Sequence, residues 1–323
     1  MATDKPLISI LMAVYEPRMD WLKEQLDSLN AQIYLNLRLY VCDDCSPTVP
    51  FEKIETMVRE CITAFPYSIE RNERNLGSNG TFELLTREAE GTYFAYCDQD
   101  DVWLPEKLAV LQETIEREQA ELVCSDMYII DGEGKRVADS ITKVRKHHVF
   151  RSGEGLAPKL LISNYVTGCT MLIQAETARE AVPFCPGMVH DHYLALFTAR
   201  EGRIVSLRER LVNYRIHSGN QTLMMAGVYD KESYFRVRIE ALIRRLRWLD
   251  ERFQGEALQK EIDEALRWAE ARERNFKGEK SAKAEVLSGR RFSPLTSLFE
   301  VVMAGAPDWF FMKFVELKRR NVL

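Results

Sequence analysis

The fold is decided by residues 93–105, which read YFAYCDQDDVWLP. The first four are apolar and typical of a buried strand in a parallel sheet. Three carboxylates follow within four residues, and Pro105 suits the first turn of a helix. The acids are therefore expected at the carboxyl end of a strand, where open α/β sheets bind their ligands. On extended chain, Asp98 and Asp100 would point to one side of the strand, and Gln99 and Asp101 to the other.

This acidic cluster has two interpretations. Carboxylates held so close repel one another unless a cation or a shared proton joins them. Mg²⁺ and similar hard ions take oxygen ligands, often one or two carboxylates together with substrate phosphates. The alternative is an acidic helix N-terminus, in which Asp101 is the cap and the other carboxylates are solvated.

The preceding segments predict the sheet to which this strand belongs. Apolar, β-rich runs at residues 7–14, 37–41 and 67–70 read as strands. Amphipathic patterns at residues 21–29, 51–65 and 81–89 read as helices between them, with a polar loop at 74–80. This β-α-β-α-β-α-β order predicts a doubly wound parallel sheet. Asp43 and Asp44 follow the second strand, so they are expected on the same rim as Asp98.

The rest of the chain changes character once. Residues 106–118 read as a helix, 121–126 as a strand, 131–134 as a hairpin turn and 135–159 as a basic, irregular loop. A strand at 166–173, a helix near 191, short strands at 204–207 and 211–214 and a polar loop at 215–220 follow. Residues 229–276 read as one or two long, charged helices. We therefore predict one domain at 1–225 and a helical region at 226–323.

Composition is that of a globular protein, with 323 residues, 46% hydrophobic, 29% charged and a net charge of -5. This balance argues against a nucleic-acid partner, which usually requires a basic patch. Residues 1–5 lead directly into a strand, so we expect no signal peptide, and no apolar run is long enough to span a bilayer. Seven cysteines then suggest a reducing, cytoplasmic location. Cys42 and Cys45 have C-x-x-C spacing, but the two acids between them disfavour a reactive thiol.

Four blocks together resemble the family 2 glycosyltransferases, which have a GT-A fold. They are SILMAVYE at 9–16, VCDDCS at 41–46, N-x-G at 75–77 with the acidic stretch DQDDVW, and His190-Asp191 with Y-R-x-H-x-x-N at 214–220. The resemblance runs from about residue 7 to residue 222. These variants of the motifs look most like bacterial enzymes that build surface polysaccharides, rhamnosyltransferases among them.

The resemblance implies an α/β GT-A fold, a nucleotide-binding, mostly parallel sheet flanked by helices, with the C-terminal helical region beside it. It implies an inverting, metal-dependent transfer of a sugar from dTDP-rhamnose or a UDP-hexose. The acceptor would be a saccharide or lipid-linked saccharide in polysaccharide or O-antigen (lipopolysaccharide) synthesis. The implied cofactor is Mg²⁺ or Mn²⁺.

The resemblance also assigns roles to individual residues. Asp100 matches the metal ligand, Asp98 the acid near the ribose and metal, and His217 a position that can reach the metal or pyrophosphate. Asp191 fits the general base that removes the acceptor's proton. The positions that match the donor site are Ala13, Tyr15, Glu16, Asp44, Asn75, Gly77, Asp98 and Gln99.

Several of these residues have structural alternatives. Asp191 could simply cap a helix, His217 could be a structural loop histidine, and Tyr15 could belong to the core. His190 stands where many family members carry a second acid, so it either orients Asp191 or binds the acceptor. Two weaker site candidates, Gly168 and Cys169, could be close-packing residues of a strand.

The alternative function is a non-catalytic nucleotide-sugar or carbohydrate-binding module on the same fold, because fold alone does not decide function. Asp98, Asp100 and Asp191 favour the enzyme, since a binding module needs neither the metal acids nor the base.

The end of the chain carries no family motif. Aliphatic and aromatic residues crowd positions 298–317, with charges between them and basic residues at both ends. The charges exclude an ordinary membrane span. Two interpretations remain: contact with the surface of an anionic bilayer at the inner face of the cell membrane, or packing on the long helices or in a homo-oligomer contact.

Overall fold

The structure, a computed structural model, describes residues 5–145, 148–217 and 227–320, with side chains as far as residue 316. Within these ranges, no helix combines the length and the apolar character needed to cross a membrane.

The first half of the chain is the predicted alternation of strands and helices. Parallel strands β1 to β4 are Ile8–Val14, Leu37–Asp43, Tyr67–Arg71 and Tyr93–Cys97, and helices α1 to α3 are Met19–Asn30, Phe51–Cys61 and Gly77–Glu88. Both faces of β1 are buried, and Ile8, Ile10 and Met12 pack in one core with residues of α1 and α2. Each such side chain contributes about 1.5–3 kcal/mol when it is fully removed from water.

The second half extends this sheet with strands of mixed direction. Strands β5 to β9 are Val102–Trp103, Leu122–Ile130, Arg136–Ala138, Met171–Gln174 and Ile204–Arg215. The order is β3-β2-β1-β4-β8-β6-β9-β5, with β7 paired to β6 and β8 antiparallel to both β4 and β6. Helices α4 to α8 are Lys107–Arg117, Ile141–Val144, Ala157–Leu160, Ala175–Glu180 and His190–Thr198.

The C-terminal part is helical. Helices α9 to α14 are Lys231–Tyr234, Ala241–Arg252, Gln259–Phe276, Ala282–Ser288, Pro294–Met303 and Asp308–Arg320, and a π-helical turn at Phe235–Glu240 joins the first two. The chain forms two compact units, one of residues 1–156, 164–184 and 189–217, and one of residues 157–163, 185–188 and 218–323. The predicted boundary near residue 225 lies outside the described residues, and the domain division remains a prediction.

Five local predictions were wrong. The segment 135–159, predicted as an irregular loop, contains strand β7 and helix α5, and helix α6 begins in it. Helix α3 begins at Gly77, inside the predicted polar loop 74–80, and the predicted strand at 166–173 starts only at Met171, because Gly168–Thr170 form a 3₁₀ turn. The two short strands predicted between 204 and 214 are one strand, β9, with an irregular register against β6. Finally, β4 ends at Cys97 and residues 99–100 form a turn, so the acidic side chains do not alternate as on extended chain.

Candidate active site

The loop that carries the acidic cluster is fixed by the end of β9. Asp101 is fully buried and its carboxylate accepts the backbone N–H of Arg215 at 2.9 Å. The Arg215 side chain is 1% exposed, and its Nε donates to the carbonyl of Asp100 at 2.8 Å. Its remaining N–H groups donate to the Glu24 carboxylate of α1 and to the carbonyl of Asp131 at 3.2 Å. Asp101 is therefore not a helix cap, and one buried arginine joins the loop to three other segments.

His217 and Asp100, which the sequence predicts as metal ligands, lie together although 117 positions separate them. The His217 Nε2 lies 2.7 Å from an oxygen of the Asp100 carboxylate, and the His217 ring rests 4.9 Å from that of Trp21. Both side chains are about one-fifth exposed, at 22% and 20%. An imidazole nitrogen and a carboxylate oxygen thus meet at an accessible position, and their role as ligands remains a prediction.

A second group forms beside this pair. Asp98, Asp101 and Cys169 each place one ligand atom within 4.8 Å of the others. Burial, and then the neighbouring carboxylates of Asp101 and Asp100, raise the pKa of Asp98 well above its usual range. Burial and Asp100 raise the pKa of Asp101 to about 7. The negative charges here repel one another, which is the condition that a bound cation relieves.

Lys107, in the first turn of α4, is a charged neighbour that the sequence analysis missed. It is fully buried against the Trp103 ring, and burial lowers its pKa to about 7 although the acids around it oppose that change. A lysine on a helix normally keeps its ammonium in water, so no local pattern marks it.

Asp100 and His217 lie together, whereas Asp98 lies in the second group. As ligands of a divalent cation, Asp98, Asp100 and His217 remain a prediction. All three side chains are partly exposed, so they can share an ion with ligands from solvent or substrate. Asp101 is already committed to Arg215. Cys169 is fully buried and burial raises the pKa of its thiol, so it stays neutral. A neutral sulfur is a poor ligand for Mg²⁺, which prefers oxygen.

The predicted donor residues at the end of β2 form a second cluster. Asp44 is buried, and its carboxylate accepts from the Asn72 amide at 2.8 Å and from the backbone N–H groups of Leu76 and Gly77 at 2.7 and 2.8 Å. The Asn75 amide donates to the carbonyl of Asp44 at 3.2 Å. Asp44 therefore holds the start of α3 in place, which explains why that helix begins at Gly77.

Tyr15 and Gln99 join the turn after β1 to the acidic loop. The Tyr15 N–H donates to the Gln99 side-chain oxygen at 2.8 Å, and the Gln99 amide donates to the Tyr15 carbonyl at 3.0 Å. The Tyr15 side chain is 45% exposed, so its interpretation as a core residue is wrong. Ala13 lies two residues before Tyr15, in β1, and is partly buried.

Glu16 stabilises the same turn from the other side. Its backbone has φ 45°, a left-handed conformation uncommon outside glycine, and its N–H donates to the Ser46 hydroxyl at 2.8 Å. The Glu16 carboxylate accepts from the backbone of Thr48 and Val49 at 2.7 and 3.2 Å and from the Thr48 hydroxyl. These hydrogen bonds lower the pKa of Glu16. These contacts fix the backbone of the turn on which the exposed Tyr15 stands.

Asp191, the predicted base, is the second residue of α8 and is buried. One carboxylate oxygen accepts the N–H of Gly168 at 2.9 Å and the other accepts the Asn164 amide at 3.0 Å. Asn164 is itself fixed by two hydrogen bonds to the backbone of Val166. Burial raises the pKa of Asp191 to about 6. The cap position is Val189, so the interpretation of Asp191 as a helix cap is wrong.

His190 lies beneath this carboxylate and faces aromatic rings. Its ring centroid lies 4.2 Å from Phe82 and 5.2 Å from Tyr96, and burial lowers its pKa to about 3, so it is neutral. A Cβ added at Gly168 would stand 2.7 Å from the His190 Nε2. His190 therefore lies close to the glycine whose N–H holds Asp191, and its role, orienting Asp191 or binding the acceptor, remains a prediction.

A parallel half-sheet with acids along its carboxyl rim defines the nucleotide-binding class of α/β fold. The sequence model described as "Glycosyl transferase family 2" matches residues 9–176, more than half of the chain. The chain belongs to this glycosyltransferase family, and its fold is GT-A.

Solved structures agree on the fold. The chain resembles Staphylococcus aureus TarS 1-349 in complex with UDP-GlcNAc, with a TM-score of 0.59 and 16% identity, covering 97% of this chain and 91% of that one. It also resembles the mannosyltransferase PcManGT of Pyrobaculum calidifontis in complex with GDP-Man and Mn²⁺, with a TM-score of 0.55 and 14% identity, covering 99% and 85%.

A relative with a stated reaction lies in Escherichia coli. It is the UDP-Glc:alpha-D-GlcNAc-diphosphoundecaprenol beta-1,3-glucosyltransferase WfaP, 27% identical over 216 residues, which are 66% of this chain and 79% of the relative.

Proposed function

We propose that this glycosyltransferase moves a sugar, with inversion, from a nucleotide-diphosphate sugar to a hydroxyl of a saccharide or lipid-linked saccharide. The observation that carries this proposal is the state of Asp191. Its carboxylate is buried, fixed at both oxygens and shifted to a pKa of about 6. A base with this pKa is ionised at neutral pH and still takes up a proton readily.

Asp191 is the proposed base. The carboxylate takes the proton of the acceptor hydroxyl as the acceptor oxygen attacks the anomeric carbon. The bond between that carbon and the diphosphate oxygen breaks, and the nucleotide diphosphate leaves with the electron pair. Attack opposite the leaving group inverts the anomeric centre. The hydrogen bonds from Gly168 and Asn164 keep the carboxylate pointed in one direction during this step.

Asp98, Asp100 and His217 are the proposed holders of Mg²⁺ or Mn²⁺. When bound, such an ion supplies charge neutralisation for the diphosphate. Around it, the reciprocal Tyr15 and Gln99 hydrogen bonds keep the acidic loop against the turn after β1. The proposed donor contacts are Ala13 in β1, Tyr15 and Glu16 in the turn after it, and the cluster of Asp44, Asn75 and Gly77.

The comparisons support the choice of substrates to test. The two structural neighbours were solved in complex with UDP-GlcNAc and with GDP-Man, and the E. coli relative is named for UDP-Glc and a diphosphoundecaprenol-linked sugar. A lipid-linked acceptor would put this reaction at the inner face of the cell membrane. dTDP-rhamnose remains a candidate from the sequence motifs.

The experiment is a donor screen with Mn²⁺ and with Mg²⁺. The protein is incubated with dTDP-rhamnose, UDP-glucose, UDP-galactose or UDP-N-acetylglucosamine, and release of the nucleotide diphosphate is measured with and without a polyprenyl-diphosphate-linked sugar. The wild-type protein should turn over one of these donors, and an Asp191→Asn variant should bind that donor without turnover. A donor that binds but is never consumed by wild type would instead support the non-catalytic module.

A further inference from the structure

Helix α13 is inverted: it buries its polar side and exposes its apolar side. Ser297, Glu300 and Met303 face inward, and the first two are fully buried. Leu295, Leu298 and Val302, at the spacing of one helical face, are 70%, 59% and 60% exposed. A helix that packed only by the hydrophobic effect would turn the other way.

Buried hydrogen bonds hold α13 in this orientation. The guanidinium of Arg272, on α11, donates two hydrogen bonds to the Glu300 carboxylate at 2.7 and 2.6 Å, and the Tyr234 hydroxyl donates a third at 2.8 Å. The Trp268 indole N–H donates to the Ser297 hydroxyl at 3.1 Å. Rotating α13 would leave a buried arginine without its partner, which is strongly unfavourable. The apolar side is therefore held outward.

The neighbouring helix α14 adds aromatic side chains to the exposed set. Phe311 and Val315 are buried and anchor α14 to its own unit. Trp309, Phe310 and Met312 are between 46% and 68% exposed. We call the exposed apolar side chains of the two helices the outer face; it consists of Leu295, Leu298, Val302, Trp309, Phe310 and Met312.

Between residues 290 and 320 the sequence has six basic residues and three acidic ones, Glu300, Asp308 and Glu316. Glu300 is buried and neutralised by Arg272, and Asp308 lies 3.4 Å from the ammonium of Lys231. The sequence places Arg290 and Arg291 before the face, and Lys313, Lys318, Arg319 and Arg320 at its end. Of these, Arg291 pairs with Glu264. Exposed apolar and aromatic side chains with flanking cations complement an anionic membrane surface, where Trp favours the interface.

We propose that the outer face is a membrane-docking surface, which inserts its apolar side chains into the headgroup region of an anionic bilayer. This surface belongs wholly to the helical unit and does not depend on which donor or acceptor the protein uses. The alternative partner for such an apolar face is a second copy of the chain. Charge complementarity favours the bilayer, because two copies would bring the same basic residues together.

The test is sedimentation of the full-length protein with vesicles. Vesicles of phosphatidylcholine with phosphatidylglycerol, and vesicles of phosphatidylcholine alone, are compared at low and high salt. Wild type should bind the anionic vesicles, and salt should weaken the binding. The double variant Leu298→Gln, Trp309→Gln should lower the partition coefficient by at least about tenfold, since each large apolar side chain removed from water contributes such a factor.

A matched control is Leu35→Gln, which replaces a leucine that is 75% exposed in the other unit. It should bind vesicles like wild type. Thermal unfolding of all variants checks that they fold, as expected for exposed positions. The proposal is overturned if wild type stays in solution with anionic vesicles at low salt, or if the double variant binds as wild type does. It is also overturned if ultracentrifugation shows a lipid-free dimer that the double variant dissociates.

Discussion

Replacing Asn164 by alanine should raise the pKa of Asp191 and move the pH profile of sugar transfer to higher pH. The Asn164 amide donates to Asp191 at 3.0 Å, and this hydrogen bond favours the charged carboxylate. Hydrogen bonds to charged groups contribute about 1.5–3 kcal/mol. Because one pKa unit corresponds to about 1.4 kcal/mol, the pKa of Asp191 is expected to rise from about 6 to roughly 7 or 8.

The consequence for activity follows from the ionised fraction of Asp191. The base works only when deprotonated, so activity is present above its pKa and is lost as the pH falls through it. At pH 6.5 roughly three quarters of the wild-type carboxylate is ionised, against roughly a quarter in the variant if its pKa is 7 and roughly 3% if its pKa is 8, so kcat/KM should fall by about three- to twenty-fivefold. At pH 9 the two proteins should differ little.

The assay is a full pH profile of kcat/KM. Asn36→Ala serves as a control, because that amide donates only to an exposed backbone carbonyl, that of Lys5, far from Asp191 in the chain. A variant profile with an unchanged ascending limb and a lower plateau would refute the electrostatic argument. Asn164 would then act by holding the loop alone.

Three further substitutions have defined outcomes. Asp100→Asn should raise the Mn²⁺ concentration for half-maximal activity more than about tenfold, because the proposed metal site loses a charge; a Mn²⁺ titration measures it. Gly168→Ala should lower the free energy of unfolding by about 1–3 kcal/mol, because the new Cβ meets His190 at 2.7 Å. Glu300→Gln should cost about 3–5 kcal/mol, because Arg272 is left buried without its charge partner; denaturant unfolding measures both.

Each of these has a contrary outcome. Wild-type activity of Asp100→Asn at limiting Mn²⁺ would remove Asp100 from the metal site. A Gly168→Ala protein with unchanged stability would mean that His190 moves aside freely. For Glu300→Gln, the comparison is Glu270→Gln, which breaks an exposed pair with Arg247 and should change stability by less than about 1 kcal/mol; equal effects of the two substitutions would contradict the buried network.

The sequence predicted the parts of the fold that depend on local pattern. The alternation of apolar strands and amphipathic helices predicted β1 to β4 and α1 to α3 in the right order, because each pattern depends only on residues close together in the sequence. The start of α3 was missed because it depends on Asp44, more than thirty residues away. The antiparallel direction of β8 and the turn at Gly168 were missed for the same reason. Strand pairing depends on contacts between residues that are far apart in the sequence.

The candidate site divides in the same way. The sequence alone identified four candidate residues, because each lies in a short motif: Asp98, Asp100, Asp191 and His217. Lys107 carries none, since a lysine on a helix is ordinarily solvated. Nor was the hydrogen bond from Asn164 to Asp191 visible, because nothing in adjacent residues predicts that an asparagine will meet a carboxylate 27 positions later.

The outward face of α13 shows a further limit of local patterns. Its apolar residues suggested either packing or a membrane surface, and the pattern alone could not choose which side faces inward. Arg272, 28 positions before Glu300, makes that choice by pairing with it. Polar partners that are far apart in sequence can thus override the preference of an apolar face for the interior.

The central claim is that Asp191 is the catalytic base. The most direct test measures both the transfer rate and the donor affinity of the Asp191→Asn variant and compares them with wild type. If Asp191 is the base, the donor should bind Asp191→Asn with nearly the wild-type dissociation constant while the rate of transfer falls by about 10²- to 10⁴-fold. Donor binding that weakens in proportion to the rate, or transfer at the wild-type rate, would show that Asp191 is not the catalytic base.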